Sequence, residues 1–154
     1  DTVKFPNGLL IEKFHLLDFP RAAVTAIVKD GSENILFVCV CRYTSGATEW
    51  ELPAGGMEVG ESEIDAAERE VLEETGYMSE SHELIYSYRP MNGSANQVFH
   101  VIRCRATNFI QEFDRNEVSE TRWFAKDEVK QMIKDKAITD GFTLTALLLI
   151  LQDQ

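Results

Sequence analysis

Basic residues are scarce in this chain: 15 lysines and arginines stand against 26 aspartates and glutamates, a formal net charge of −11 over 154 residues. Nonspecific binding to duplex nucleic acid needs Lys and Arg to displace counterions, so this balance argues against a nucleic-acid partner. It leaves room for a small anionic partner, because a bound cation can invert the local field. Long apolar runs are also missing. Ala146–Leu151 is six residues long, against about 20 for a membrane-spanning helix, and no membrane association is expected. Cysteines are few and odd in number. Cys39, Cys41 and Cys104 lie in apolar, strand-like runs, and Cys39 and Cys41 would share one strand face, a spacing poor for mutual bridging. All three read as buried free thiols of a protein from a reducing cytoplasm. The chain has no internal repeats and no low-complexity segments.

A hydrophobic content of 44% with 27% charged residues describes a globular chain, and the length suits one domain over residues 1–154 with a sizeable core. Leu9–Leu17, Ala22–Val28 and Ile35–Cys41 read as strands, the last apolar enough to be central. Lys29–Asn34 reads as a turn and Thr44–Glu49 as a small-residue loop. Glu83–Tyr88 and Gln97–Ala106 read as paired strands, and Thr121–Phe124 as a short one. Helices are expected over Lys126–Lys134 and after Asp140, the second apolar round most of its circumference and therefore buried. Strands and helices out of strict alternation predict an α/β (α+β) fold, a mixed sheet packed between helices.

The most informative stretch is Gly55–Tyr77, which places eight carboxylates and one arginine in a loop and a helix. Like charges one turn apart weaken a helix by about 0.2–0.5 kcal/mol per pair, so a positive charge should sit against them. Hard oxygen ligands with little basic compensation point to Mg²⁺ or Mn²⁺. Measured from Glu70 on an ideal helix, Glu74 lies about 40° round the axis and Glu73 about 60° the other way, so all three can face one cleft. Ile64, Ala67, Val71 and Leu72 form an opposite stripe suited to a sheet. Gly55, Gly56 and Gly60 permit sharp turning and close approach to a ligand, and Gly76 reads as a left-handed helix stop. Ser62 with Asp65 makes an imperfect capping box, Asp standing where Glu or Gln is preferred.

The segment resembles the Nudix box: Gly, five residues, Glu, seven residues, Arg-Glu, an aliphatic, any residue, Glu-Glu, any residue, Gly, an aliphatic. Here the positions are Gly55, Glu61, Arg69-Glu70, Val71, Glu73-Glu74, Gly76 and Tyr77, with only aromatic Tyr77 departing from the pattern. Seven fixed positions match by chance on the order of once in 10⁸ windows. The resemblance implies an α-β-α sandwich and hydrolysis of a nucleoside diphosphate linked to another group. Val3–Gly8, Arg42-Tyr43 and Trp50–Gly55 resemble ADP-ribose pyrophosphatases and nucleoside-diphosphate-sugar hydrolases, although Val40 and Cys41 replace the Gln and Tyr that usually precede the arginine. Tyr88–Ser94, Glu117–Phe124 and Ala137–Leu147 extend the likeness over nearly the whole chain.

From that resemblance come the site expectations. Glu70 and Glu74 are the principal metal ligands with the main-chain carbonyl of Ala54, and Glu73 completes the cluster directly or through water. Arg69 holds the box together, and Glu61 orients it. Glu117 is the first choice of general base and Glu120 the second. Arg42, with Glu51 and Gly55, is expected to bind substrate, a guanidinium fork suiting paired phosphate oxygens. Arg21 and Arg89 are weaker suggestions. Phe5, Phe19 and Tyr43 could supply a platform for a base but read more naturally as core. His15, His82 and His100 carry no metal spacing. The resemblance also implies a homodimer built through residues 1–20, a region shorter here than in larger members. Two other readings stay open: a nucleoside triphosphate or dinucleoside polyphosphate hydrolase, and a noncatalytic ADP-ribose sensor.

Overall fold

A computed structural model describes residues 1–152, in which nine strands and three helices form. The centre is β3 (Ala23–Lys29), buried at every residue but the last. Its run lacks the polar alternation of a strand with one wet face, because both faces are covered. Val24, Ala26 and Val28 join Ile102 and Cys104 of β8 (Phe99–Phe109) in a core against Ala66, Ala67 and Val71 of α1 (Glu63–Thr75). Ile27, Phe37 and Val101 face the other way, onto Val129 of α2 (Lys126–Lys134) and Ala146 and Leu147 of α3 (Gly141–Leu151). Helices thus cover both faces of one sheet, as expected, and each fully buried Val or Leu contributes about 1.5–3 kcal/mol.

The sheet is mixed. β3 and β8 pair in parallel from Ala23–Phe99 to Lys29–Arg105, while β7 (Tyr77–Tyr88) pairs antiparallel to β8. β4 (Ile35–Arg42) meets β3 only at Lys29–Ile35, after which the two part. The segment that follows pairs first with β4, as β5 (Ala47–Glu51), and then with β3, as β6 (Ala54–Gly56). The other edge of β4 takes β9 (Val118–Phe124). The glycine loop and the start of α1 are thereby anchored in the fork between β3 and β4.

α1 begins and ends as its sequence predicts. Ser62 caps it, its hydroxyl accepting from the Asp65 N–H at 3.2 Å, while the Asp65 carboxylate accepts from that same hydroxyl at 2.7 Å. Gly76 ends it at φ +75°, its N–H donating to Leu72 O. α2 has the expected bounds, and Asp140 caps α3 by accepting from the Thr143 N–H at 2.7 Å. α3 is less enclosed than its composition suggests, with Leu148 43% exposed.

Other expectations change. Leu9–Leu17 is not one strand: only Leu10–Ile11 (β2) pairs, with Val3–Lys4 (β1), in a separate two-stranded sheet. Leu9, Leu10, Leu16 and Leu17 are all exposed, so no core face within the chain fixes a longer strand. Thr44–Glu49 is not wholly loop, because backbone pairing to β4 makes its second half β5, without help from an apolar pattern. β7 starts directly after α1 instead of at Glu83, and it carries bulges and a positive φ at Ser81 that blur its period. Cysteine burial is graded: Cys104 is buried, Cys39 half-buried and Cys41 exposed, all three free. Burial pushes the Cys104 thiol up to about 12. No helix among the described residues is long and apolar enough to cross a membrane.

Candidate active site

Where β3 and β4 part, a cleft of about 400 Å³ opens, lined by Val40, Cys41 and Arg42 of β4, Ala54, Gly55 and Gly56 of β6, Glu70 and Glu74 of α1, and Asn116 and Glu117 ahead of β9. Glu70 and Glu74 are one helical turn apart and both buried, at 8% and 7% exposure. Among the described residues the Glu74 carboxylate has a single hydrogen-bond partner, the Ala54 N–H, 3.0 Å from its Oε2. Burial, only partly offset by that N–H and reinforced by the charges of Glu70 and Glu117, pushes the Glu74 carboxyl up to about 8. Burial also raises Glu70, against the pull of Arg69. Glu74 has no ion-pair partner among the described residues, Glu70 shares the one charge of Arg69 with Glu61 and Glu73, and hard oxygen donors so buried suit a divalent cation. Among the described residues no three acidic, thiol or imidazole groups already converge to hold one.

Arg69 ties the helix to the glycine loop. Its Nε and Nη2 donate to the Glu61 carboxylate at 2.9 and 3.0 Å, Nη2 to Gly56 O at 3.0 Å, and Nη1 to Glu70 at 2.8 Å and Glu73 at 3.1 Å. Glu61 also accepts the Glu58 N–H, and the Arg69 guanidinium holds its carboxyl below the usual range. Glu61 raises the pKa of Arg69 in turn, so the guanidinium stays protonated. These contacts leave Arg69 no proton to give and suit it to holding shape.

Gly55 packs against Glu70 so closely that an added Cβ would lie 1.9 Å from Glu70 Oε1. The close approach read from the sequence is therefore made to a side chain of the same protein. Arg42 reaches the cleft from the end of β4, its fork gripped by Glu51, whose Oε1 accepts from Nε at 2.9 Å and whose Oε2 accepts from Nη2. Glu117 is brought to the rim by a turn in which Asp114 O accepts from the N–H groups of Glu117 and Val118, and the Asp114 N–H donates to Glu73 O at 2.9 Å.

Several expected residues sit elsewhere. Glu73 does not line the cleft; its carboxylate turns out to Arg69 with its side chain 54% exposed. Glu120 lies within β9, opposite Cys39, and does not line the cleft either. Glu51 is buried behind Arg42. Tyr43 is fully exposed and Phe5 37% exposed, so neither is core. Arg21 and Arg89 do not line the cleft. Sequence reasoning missed Asn116, which its neighbour Glu117 could have flagged. It also left Val40 and Cys41 without a place, although both line the site.

Comparison with known proteins agrees with this geometry. The NUDIX domain family matches residues 19–144. The CMP-5'-(N-acetyl-N-hydroxy-3-aminopropyl)phosphonate hydrolase of Streptomyces rubellomurinus is 30% identical over 97% of this chain and 72% of its own. An ADP-ribose pyrophosphatase of Bacillus subtilis is 28% identical over 96% of this chain and 80% of its own. A solved structure of an ADP compounds hydrolase superposes with a TM-score of 0.86 at 16% identity, over 98% of this chain and 82% of that one, a likeness of fold. A family match that runs from the strand before the cleft to the last helix includes every residue lining the site, and the chain belongs to the NUDIX family of hydrolases.

Proposed function

We propose that this hydrolase cleaves the pyrophosphate bond of a nucleoside diphosphate joined to another group, with ADP-ribose (giving AMP and ribose 5-phosphate) or a nucleoside diphosphate sugar as substrate, and Mg²⁺ or Mn²⁺ as cofactor. The carrying observation is the cleft itself, which sets buried, cation-seeking Glu70 and Glu74 against exposed Glu117 and a single arginine. The named relatives support the substrate class, since one name joins CMP to a phosphonate and the other is that of a pyrophosphatase of ADP-ribose.

Glu70, Glu74 and the carbonyl of Ala54 would hold the cation, with Glu73 able to join on leaving Arg69. When bound, the ion supplies the positive charge that an anhydride bridge between two phosphates needs before water can attack it. Glu117 takes a proton onto a carboxylate oxygen from the attacking water, with Glu120 the second candidate. The new P–O bond forms as the bridging P–O bond breaks. Arg42 draws in the phosphates, Gly55 lets the backbone and Glu70 lie together beside them, and Arg69 keeps loop and helix in register. The exposed Phe5, Leu9, Leu10, Leu16 and Leu17 support a homodimer through residues 1–20, and three free thiols support a reducing, cytoplasmic setting.

The test is a side-by-side panel of ADP-ribose, UDP-glucose, GDP-mannose and dGTP in Mg²⁺ and in Mn²⁺, with products identified. Release of AMP and ribose 5-phosphate, or of a nucleoside monophosphate and a sugar phosphate, is expected. Turnover confined to dGTP would move the enzyme to the triphosphate hydrolases, and tight ADP-ribose binding without cleavage would make it a sensor.

A further inference from the structure

Arg42 is the one cationic side chain lining the cleft among the described residues, in the company of Glu70, Glu74 and Glu117. Left to itself, a guanidinium at a strand end would fold toward those carboxylates, and the charge of Glu74 already acts on it. It is held off by Glu51, the last residue of β5, which is 3% exposed and spends both carboxylate oxygens on the Nε and Nη2 side of Arg42. A carboxylate that deeply buried is tolerable only when paired, so the two groups fix one another. The grip is side-on. Nη1 has no acceptor among the described residues, and that unused edge belongs to a side chain that lines the cleft and is about half exposed.

We infer that Glu51 is a positioning residue: a buried carboxylate that locks Arg42 side-on, so that the free edge of its guanidinium meets the phosphates of a nucleotide instead of collapsing onto the acidic cluster. The inference rests on reading the cleft as a nucleoside diphosphate site. It makes Glu51 necessary for full nucleotide affinity without contact between Glu51 and the nucleotide, and it gives a purpose to an acid buried behind the cleft. A planar fork is needed as well as a charge, because lysine offers no second edge once one side is held.

The experiment is calorimetric titration of ADP into the folded wild type, E51Q, E51D, R42A, R42K and the double variant R42A/E51Q, with melting curves as the check on folding. E51Q, E51D and R42A should each weaken ADP on the order of tenfold, the loss of one charge-assisted hydrogen bond. R42A/E51Q should bind no more weakly than R42A alone, because Glu51 acts only through Arg42. Effects that add in the double variant, or wild-type affinity in E51Q, would overturn the positioning role while leaving the nucleotide site intact. Should E51Q fail to fold, R42K tests the pair from the exposed side, and wild-type ADP affinity in R42K overturns the proposal. A wild type that neither binds ADP nor hydrolyses any nucleoside diphosphate derivative would remove the functional reading and this inference together.

Discussion

At the residue scale, the cleft depends on a few contacts of fixed length. Gly55→Ala would place a methyl group where Glu70 Oε1 lies. The carboxylate can swing aside, so melting should change little while turnover falls on the order of 10-fold or more, because catalysis is lost steeply with small displacements. Unchanged turnover in Gly55→Ala would show that Glu70 need not lie where it does. Glu117→Gln should lower kcat by about 10²-fold or more with KM little altered, as expected for loss of a general base. Glu120→Gln, out on β9, should be near wild type. A reversal of those two results would exchange the roles. The residues themselves were largely legible: Glu70, Glu74, Ala54, Gly55, Arg42 and Glu117 all line the cleft. The partners of Glu73 and Glu51 were not legible, because the angle round a helix or the alternation along a strand gives direction and not partner. Arg69 claims the first and Arg42 the second, and neither pairing follows from spacing.

At the element scale, α1 is held at its two ends by different means. Ser62 supplies a local cap, which sequence reveals. Gly76 answers two demands, a positive φ and the carbonyl of Gln111, which an added Cβ would approach to 1.9 Å. Gly76→Ala should therefore cost about 1–3 kcal/mol from backbone conformation alone, read as a melting temperature lower by several degrees. A melting curve matching the wild type would mean that the helix end can relax freely. Helices were the more legible elements, since caps and apolar stripes are written within each segment. Strands were less so. β5 exists because β4 offers it backbone partners, and the apolar N-terminal segment has no face within the chain to fix a long strand.

At the scale of the whole molecule, an acidic protein buries three acids and so depends on pH. Glu51 is paired with Arg42 and Glu70 with Arg69, while Glu74 has no cationic side chain bonded to it among the described residues. Glu74 rises from an ordinary 4.5 to about 8 on folding. A carboxyl raised in this way favours the fold below pH 4.5, and its contribution is lost as the pH climbs through about 8. Without divalent ions, Glu74→Gln, which mimics the protonated form, should gain stability relative to the wild type between pH 5 and pH 8.5. Added Mg²⁺ should raise the wild-type melting temperature more at the upper end of that range, where less proton must be displaced. A wild-type advantage over Glu74→Gln that grows with pH in metal-free buffer would contradict the assigned environment. The architecture was legible at this scale too, because strands and helices out of strict alternation predict a mixed sheet between helices, although the strand buried at every residue but the last is β3. The parting of β3 and β4 was not, since nothing in either strand records which neighbour the next segment will choose.

One backbone contact joins these scales. The loop that carries Glu117 hangs from the last turn of α1 through the Asp114 amide and the Glu73 carbonyl. Neither atom belongs to a side chain, so an alanine scan would pass over the attachment in silence. A one-residue insertion between Phe109 and Asp114, or an ester in place of the Asp114 amide, would loosen Glu117 from the acid cluster while every side chain that lines the cleft remained in the sequence.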